Sequence, residues 1–298
     1  MNATATRPDV YSTITNKIVA RMEQGELPWA RPWNAQHAAG SITRPLRHNG
    51  ECYHGVNVLV LWLTAEERGY HCPLWLTFNQ AKDLGGFVRK GEKGTPVVYA
   101  SSFIKKEVDE ATGEEAEEQI PFLKSYTVFN ALQIDGLSKH YYAMKEQPKN
   151  LAERLVDVEA FVANTKAEIR HGGDRAFYAS NADYMQMPQY ECFRDRESYY
   201  ATLSHELTHW TGNQKRLGRD LSKSRFGSEG YAVEELIAEL GSAFLCADLG
   251  ITIEPRADHA SYLLNWIKIL KADKRAIFTA ANQAEKATAF LYELQPKS

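Results

Sequence analysis

His205, Glu206 and His209 stand in the order His-Glu-Leu-Thr-His, within "ATLSHELTHWTGNQKRLGRD". A helix turns about 100° per residue, so residues four apart share a face. Two imidazoles on one face can hold a single cation. Glu206 lies beside the first of them, within reach of a water on that cation. Zinc lowers the pKa of such a water to about 7, and the carboxylate can then take its proton while the ion polarises a carbonyl. The spacing therefore predicts metal-assisted hydrolysis with Glu206 as general base. Glu206 is also the discriminating residue, because a zinc that only stabilises a fold has no use for a base.

A zinc site needs at least three protein donors. Downstream, "VEELIAELG" offers Glu234, Glu235 and Glu239. Glu235 and Glu239 are four apart and share a face. One of them can ligate the ion while the other accepts the outer N–H of a ligand histidine. Set among Val233, Leu236, Ile237 and Leu240, these carboxylates are costly to bury without a metal or a partner. His-Glu-Leu-Thr-His followed by a helix with Glu-Glu-x-x-Ala-Glu resembles the thermolysin-type gluzincin peptidases. The resemblance implies that Glu235 joins His205 and His209 as third ligand and that Glu239 orients the first histidine. Glu234 falls where that family carries an asparagine, so no ligand role is implied for it. The expected cofactor is one Zn2+ per chain, with another divalent ion as the alternative. His259, Tyr231 and Tyr262 are candidate donors to an oxyanion. "YASNADYMQMP" is a candidate edge strand for pairing with a substrate backbone.

These residues need elements to hold them. "RESYYATLSHELTHWTG" reads as a helix ended by Gly212, and "AVEELIAELGSAFLCADLG" as another ended by Gly250. "ASYLLNWIKILKADKRAIFTAANQAEKATAFLYEL" reads as one long helix or two stacked ones. "LAERLVDVEAFVANT" is a further helix, and strand-like pieces lie within "EIRHGGDRAFYASNADYMQMP". Upstream, residues 9 to 25 are an amphipathic helix, with Val10, Ile14, Ile18, Val19 and Met22 at helical spacing. "VNVLVLWLTAEERG" is a second helix, and "WLTFNQAKDLGG" is a strand entering a short helix. "TPVVYASSFIKK" and "LKSYTVFNALQI" are strands of a hairpin whose tip is the acidic run "EVDEATGEEAEEQ" at 107 to 119. The polar, proline-bearing "YYAMKEQPKN" at 141 to 150 is the candidate linker. The expected fold class is α+β in two domains, 1–145 and 150–298, with separate cores. The second is mostly helical and zincin-like.

The first half carries a different chemistry. Basic residues outnumber acidic ones up to residue 106, although the whole chain has net charge -3. Trp29, Trp33, Tyr53, Trp62, Trp75 and Phe78 are interleaved with Arg21, Arg31, Arg44, Arg47, Arg89, Lys90 and Lys93. Rings that stack on unpaired bases and cations that track phosphates together suit single-stranded nucleic acid. "PWARPW" holds two tryptophans between prolines, flanking Arg31. "RKGEKG" is a basic glycine turn. Trp62 in "VLVLWL" and Trp75 in "CPLWLTF" sit in apolar runs and read as core.

The 298 residues are 44% hydrophobic and 11% aromatic, enough for packed cores and incompatible with wholesale disorder. Cys52, Cys72, Cys192 and Cys246 form no CxxC pair, which argues against a cysteine-rich zinc module or a disulfide scaffold. No stretch approaches the ~20 apolar residues of a membrane span, and the N-terminus lacks the apolar run of a signal peptide. A soluble, cytoplasmic protein is expected, with no membrane partner.

Taken in order, "NKIVARMEQGELPWARPW", "YHGVNVLVLWL", "WLTFNQAKDLGGFVRKGEKGTPVVY", "SHELTHWTG" and "YAVEELIAELG" resemble the ArdC family of plasmid antirestriction proteins, over nearly the whole chain. That resemblance implies an N-terminal single-stranded-DNA-binding domain, related to the N-terminal region of TraC-type primases, and a C-terminal zincin-like domain. It also implies protection of incoming plasmid DNA from host restriction during conjugation. A restriction-system protein is then a candidate substrate or target. No primase-type acidic metal motif is present. The competing expectation is a non-enzymatic protein that occludes single-stranded DNA and whose zinc site is structural. A nuclease fits least, since phosphoryl transfer favours oxygen-rich, often two-metal sites.

Overall fold

The computed structural model describes residues 9–29, 43–108, 115–142, 151–219, 229–251 and 259–296. In chain order the helices are α1 (Val10–Met22), α2 (Val56–Arg68), α3 (Phe78–Asp83), α4 (Leu151–Asn164), α5 (Arg196–Thr211), α6 (Glu229–Leu249), α7 (His259–Ala272) and α8 (Ala276–Glu293). The strands are β1 (Leu46–Arg47), β2 (Leu74–Thr77), β3 (Phe87–Val88), β4 (Thr95–Val108), β5 (Glu115–Asn130), β6 (Ile134–Asp135), β7 (Glu168–His171), β8 (Phe177–Ala179) and β9 (Tyr184–Met187). Among the described residues no helix is long and apolar enough to cross a membrane.

Packing divides the chain into two compact units. One comprises Met1–Pro45, Cys52–Pro73 and Met144–Ser298, and is mainly helical. The other comprises Leu46–Glu51 and Leu74–Ala143, and is built on sheet. This differs from the expected separate cores of 1–145 and 150–298. The polar segment at 141–150 does mark the passage from one unit to the next. It says nothing of α1 and α2, whose apolar faces are buried in the helical unit instead. An amphipathic helix announces a face to bury, not the partner that will bury it.

In the sheet unit the strand order is β1-β2-β5-β4, with β1 parallel to β2 and the other pairs antiparallel. β4 and β5 form a long hairpin, in register from Thr95 opposite Val128 to Val108 opposite Glu115. The acidic run thus lies at its far end, and 109–114 fall outside the described residues. A capping box begins α3: Gln80 N donates to Thr77 Oγ1 at 3.2 Å, and Thr77 N to Gln80 Oε1 at 2.9 Å. Trp75, Leu76, Val97 and Val128 fill the core, so Trp75 is the core residue that its apolar run predicts.

In the helical unit α6 is central. Its residues from Leu236 to Ala247 are buried on every side, as a helix apolar all round must be. It packs against α5, α7 and α8. The α5–α6 approach is close because position 241 is glycine: a Cβ there would sit 2.5 Å from Thr208 Cγ2. A three-stranded sheet in the order β7-β9-β8 leans on α5. The expected edge strand is met only in part. "YASNADYMQMP" contains the end of β8, an edge strand among the described residues, and all of β9, the middle strand with both sides paired. The alternating pattern marks a strand but not its neighbours.

Candidate metal centre

α5 carries His205, Glu206 and His209, and α6 carries Glu234, Glu235 and Glu239. Asp195 caps α5, accepting from Ser198 N at 2.7 Å. The crossing at Gly241 and Thr208 then presents the two ligand faces to each other. His205 Nε2 lies 3.2 Å from His209 Nε2 and 3.4 Å from Glu235 Oε2. His209 Nε2 lies 3.5 Å from Glu235 Oε1. Donors sharing one tetrahedral ion at bonds of about 2.0–2.2 Å stand about 3.3–3.6 Å apart, so these three residues fit a divalent cation. Among the described residues they are the one His/Cys/Asp/Glu group with that geometry.

The outer nitrogen of each ring also meets a carboxylate. His205 Nδ1 is 3.2 Å from Glu239 Oε1, within ion-pair distance but not aligned as a hydrogen bond. His209 Nδ1 is 3.1 Å from Glu234 Oε1. Glu234, for which no ligand role was expected, thus stands behind the His209 ring. Burial by itself lowers the pKa of His209; Glu234 and Glu235 outweigh it and push it up to about 10. Burial by itself raises Glu235; the imidazoles of His205 and His209 reverse that and hold it well below the carboxylate range. In Glu234 the same desolvation is overcome by His209 and Arg219.

Glu206 is 3% exposed. Among the described residues it has no hydrogen-bond or ion-pair partner, unlike the other three glutamates. A buried carboxylate left in that state is costly and calls for a use. Of the candidate oxyanion donors, Tyr231 hydrogen-bonds Glu235, and its hydroxyl lies 3.2 Å from that of Tyr262. Burial, Tyr262 and Glu235 raise the Tyr231 pKa, so its hydroxyl keeps its proton. Tyr262 stacks on Trp266. His259 opens α7, and its side chain lies outside those described.

The residues expected at DNA are dispersed. Trp29 is 2% exposed, its ring meeting Trp266 edge-on with centroids 6.0 Å apart. Tyr53 is also buried. Arg44 is 4% exposed, its Nε 2.8 Å from Asp248 Oδ1 and its Nη1 2.8 Å from Glu285 Oε2. A base cannot stack on an enclosed ring, and a guanidinium held by two carboxylates is not offered to a phosphate. These three expectations are corrected: the residues belong to the helical unit's interior. Arg89 is exposed but paired with Glu92 at 2.8 Å and Asp135 at 3.2 Å. Arg47 faces Glu51 at 3.5 Å. Lys90 and Lys93 are exposed. Arg31 and Trp33 lie outside the described residues. Sequence reasoning missed the exposed rings of Phe87 and Tyr99, which join Phe78 on the sheet unit.

Known proteins place this geometry. A family model described as the N-terminal domain of anti-restriction factor ArdC matches residues 8–129, and one described as zincin-like metallopeptidase matches 156–283. An uncharacterized protein, y4eC, of Sinorhizobium fredii is 41% identical over 97% of this chain and 94% of its own length. DNA primase TraC of Escherichia coli is 38% identical over 96% of this chain, which spans 27% of that primase. The metal-free crystal structure of antirestriction ArdC protein from plasmid R388 superposes with TM-score 0.80 at 46% identity, covering 96% of this chain and 97% of that one. Its Mn(II)-bound structure superposes with TM-score 0.76 at 44% identity, covering 96% and 98%. An ArdC N-terminal region joined to a zincin-like region, with near full-length likeness to a solved ArdC, leaves one assignment: the chain belongs to the ArdC family of antirestriction proteins.

Proposed function

We propose that this protein binds single-stranded DNA and cleaves a protein component of a restriction system through a zinc-dependent peptidase centre, protecting incoming plasmid DNA in the cytoplasm. The observation that carries the peptidase reading is Glu206, a buried carboxylate beside His205 and spoken for by no other described residue. His205, His209 and Glu235 would hold the ion. A zinc ion bound there would supply an acidified water and polarise a peptide carbonyl. Glu206 would take up a proton and pass it to the leaving amine. Tyr231 and Tyr262, whose hydroxyls lie 3.2 Å apart, are the candidate donors to the oxygen on which charge develops. Zinc suits two imidazoles and a carboxylate; the R388 relative binds Mn(II), so the ion is itself a point to measure.

For DNA, support comes from the sheet unit, with exposed Lys90 and Lys93 and the exposed rings of Phe78, Phe87 and Tyr99. The deciding experiment compares wild type, Glu206→Gln and His205→Ala in a cellular antirestriction assay, with metal content measured on each. Glu206→Gln is expected to keep its metal and lose protection. Full protection by a metal-loaded Glu206→Gln protein would make the centre structural and leave DNA occlusion as the mechanism.

A further inference from the structure

Past the end of α5 the chain returns to the metal centre through Arg219, which is buried. Its Nη2 donates to Thr208 O at 2.6 Å, and its Nη1 to Thr211 Oγ1 at 2.9 Å. Nε and Nη2 also donate to the two oxygens of Glu234, at 3.1 and 2.9 Å. Glu234 in turn meets His209 Nδ1 at 3.1 Å. We infer that Arg219 and Glu234 are a positioning pair for His209, fixing the tautomer and orientation in which that ring meets the ion. The inference rests on the reading that His205, His209 and Glu235 hold a divalent cation.

Three observations carry it. A carboxylate at position 234 would be costly to bury alone, and a bidentate guanidinium removes that cost. The same guanidinium grips the last turn of α5 through Thr208 and Thr211, so Glu234 is fixed relative to the helix that bears His209. Space for it is provided by Gly212. That residue has φ -73° and ψ -11°, a conformation open to any amino acid. A Cβ there would nonetheless lie 2.8 Å from Arg219 Nη2 and 3.0 Å from His209 O. The tightest approach is thus to the arginine, with the α5 backbone crowding the same position. A gluzincin-type asparagine would offer His209 a neutral amide oxygen. Here a full carboxylate accepts the ring's N–H, which makes the opposite nitrogen a stronger ligand.

The test is Zn(II) affinity by competition with a chromophoric chelator, together with 15N NMR of the histidine side chains. The proteins compared are wild type, Glu234→Gln, Arg219→Gln, Arg219→Lys, Gly212→Ala and the double variant Arg219→Gln/Glu234→Gln. Glu234→Gln is expected to lose about tenfold to a hundredfold in affinity. Arg219→Gln and Gly212→Ala should lose at least several-fold, and the double variant should be no worse than its worse parent, because the pair acts as a unit. Recorded above pH 10, where the metal-free His209 ring is neutral, the spectrum should show Nδ1 protonated in wild type and a mixed tautomer in Glu234→Gln, a change that a merely structural role would not produce. Should Arg219→Gln fail to fold, Arg219→Lys and Glu234→Gln decide. Unchanged affinity and tautomer in folded variants overturns the pair. A wild type that binds no Zn(II) or Mn(II) overturns the metal-centre reading instead.

Discussion

Four glutamates surround two histidines, and their environments divide the work. Glu235 alone meets both inward nitrogens. Glu239 and Glu234 each stand behind one ring. Glu206 has no such contact among the described residues, as the proposed base requires. Metal content of purified variants should follow that order. Glu235→Gln is expected to lose most of the ion, Glu239→Gln to weaken affinity about tenfold to a hundredfold, and Glu206→Gln to stay within a few-fold of wild type. An ion retained by Glu235→Gln and lost from Glu239→Gln would exchange the two assignments. The His205, Glu206 and His209 set was legible from spacing alone. Glu235 and Glu239 were not separable that way, since residues four apart on a helix are equivalent until the facing helix is placed. Arg219 was illegible for a stronger reason: its partner is fifteen residues on, and only the return of the chain past Gly212 brings them together.

α5 and α6 owe their alignment to one small residue. Gly241→Ala would force a methyl group against Thr208, which bonds back to Ser204 O at 2.9 Å and cannot swing away freely. Overpacking of that kind costs about 1–3 kcal/mol, and here it also parts the ligands. Chemical denaturation should show the loss of stability, and a Zn(II) titration a weaker site. A variant with unchanged affinity would mean that the helices slide rather than separate. The far end of α5 is held by another device. Arg216 pairs with Asp183, stacks on Trp210 at 3.9 Å and donates to Tyr178 Oη at 3.0 Å, tying the β8–β9 turn to the metal helix. Arg216 first, then Tyr178, hold Asp183 below its ordinary pKa against the opposing effect of burial. A lowered carboxylate stabilises the fold fully above its unfolded pKa of about 3.9, and that share is lost as pH falls through the folded value. Asp183→Asn should therefore destabilise at pH 6, with the gap to wild type closing toward pH 2. Asparagine tolerates the φ of 58° found there, so a gap independent of pH would point to packing instead of charge.

At the scale of the molecule, the helices were legible as elements and the cores were not. Buried Ile14, Ile18 and Met22 are the stripe read from sequence, yet the partner of that stripe lies some 250 residues on: Thr15 Oγ1 donates to Lys274 O at 2.7 Å, and Tyr11 meets Phe278. Local pattern carries no information about such a pairing. The consequence falls on Trp29, the most conspicuous base-stacking candidate in the sequence, which sits in the helical unit against Trp266. Trp266 donates its Nε1–H to Ala232 O at 2.7 Å, one turn from the glutamates of α6. Trp29→Ala should therefore cost about 3–5 kcal/mol of stability, as large-to-small core changes do. The affinity of the still-folded protein for a labelled single-stranded oligonucleotide should stay within about twofold. Lys90→Ala and Lys93→Ala should do the opposite, leaving the melting temperature in place while each flattens the log–log salt dependence of binding by about 0.7. Thermal melts and titrations at several salt concentrations, run on all three variants, separate the two roles. A stable Trp29→Ala protein that binds DNA tenfold more weakly would return that tryptophan to the nucleic-acid surface.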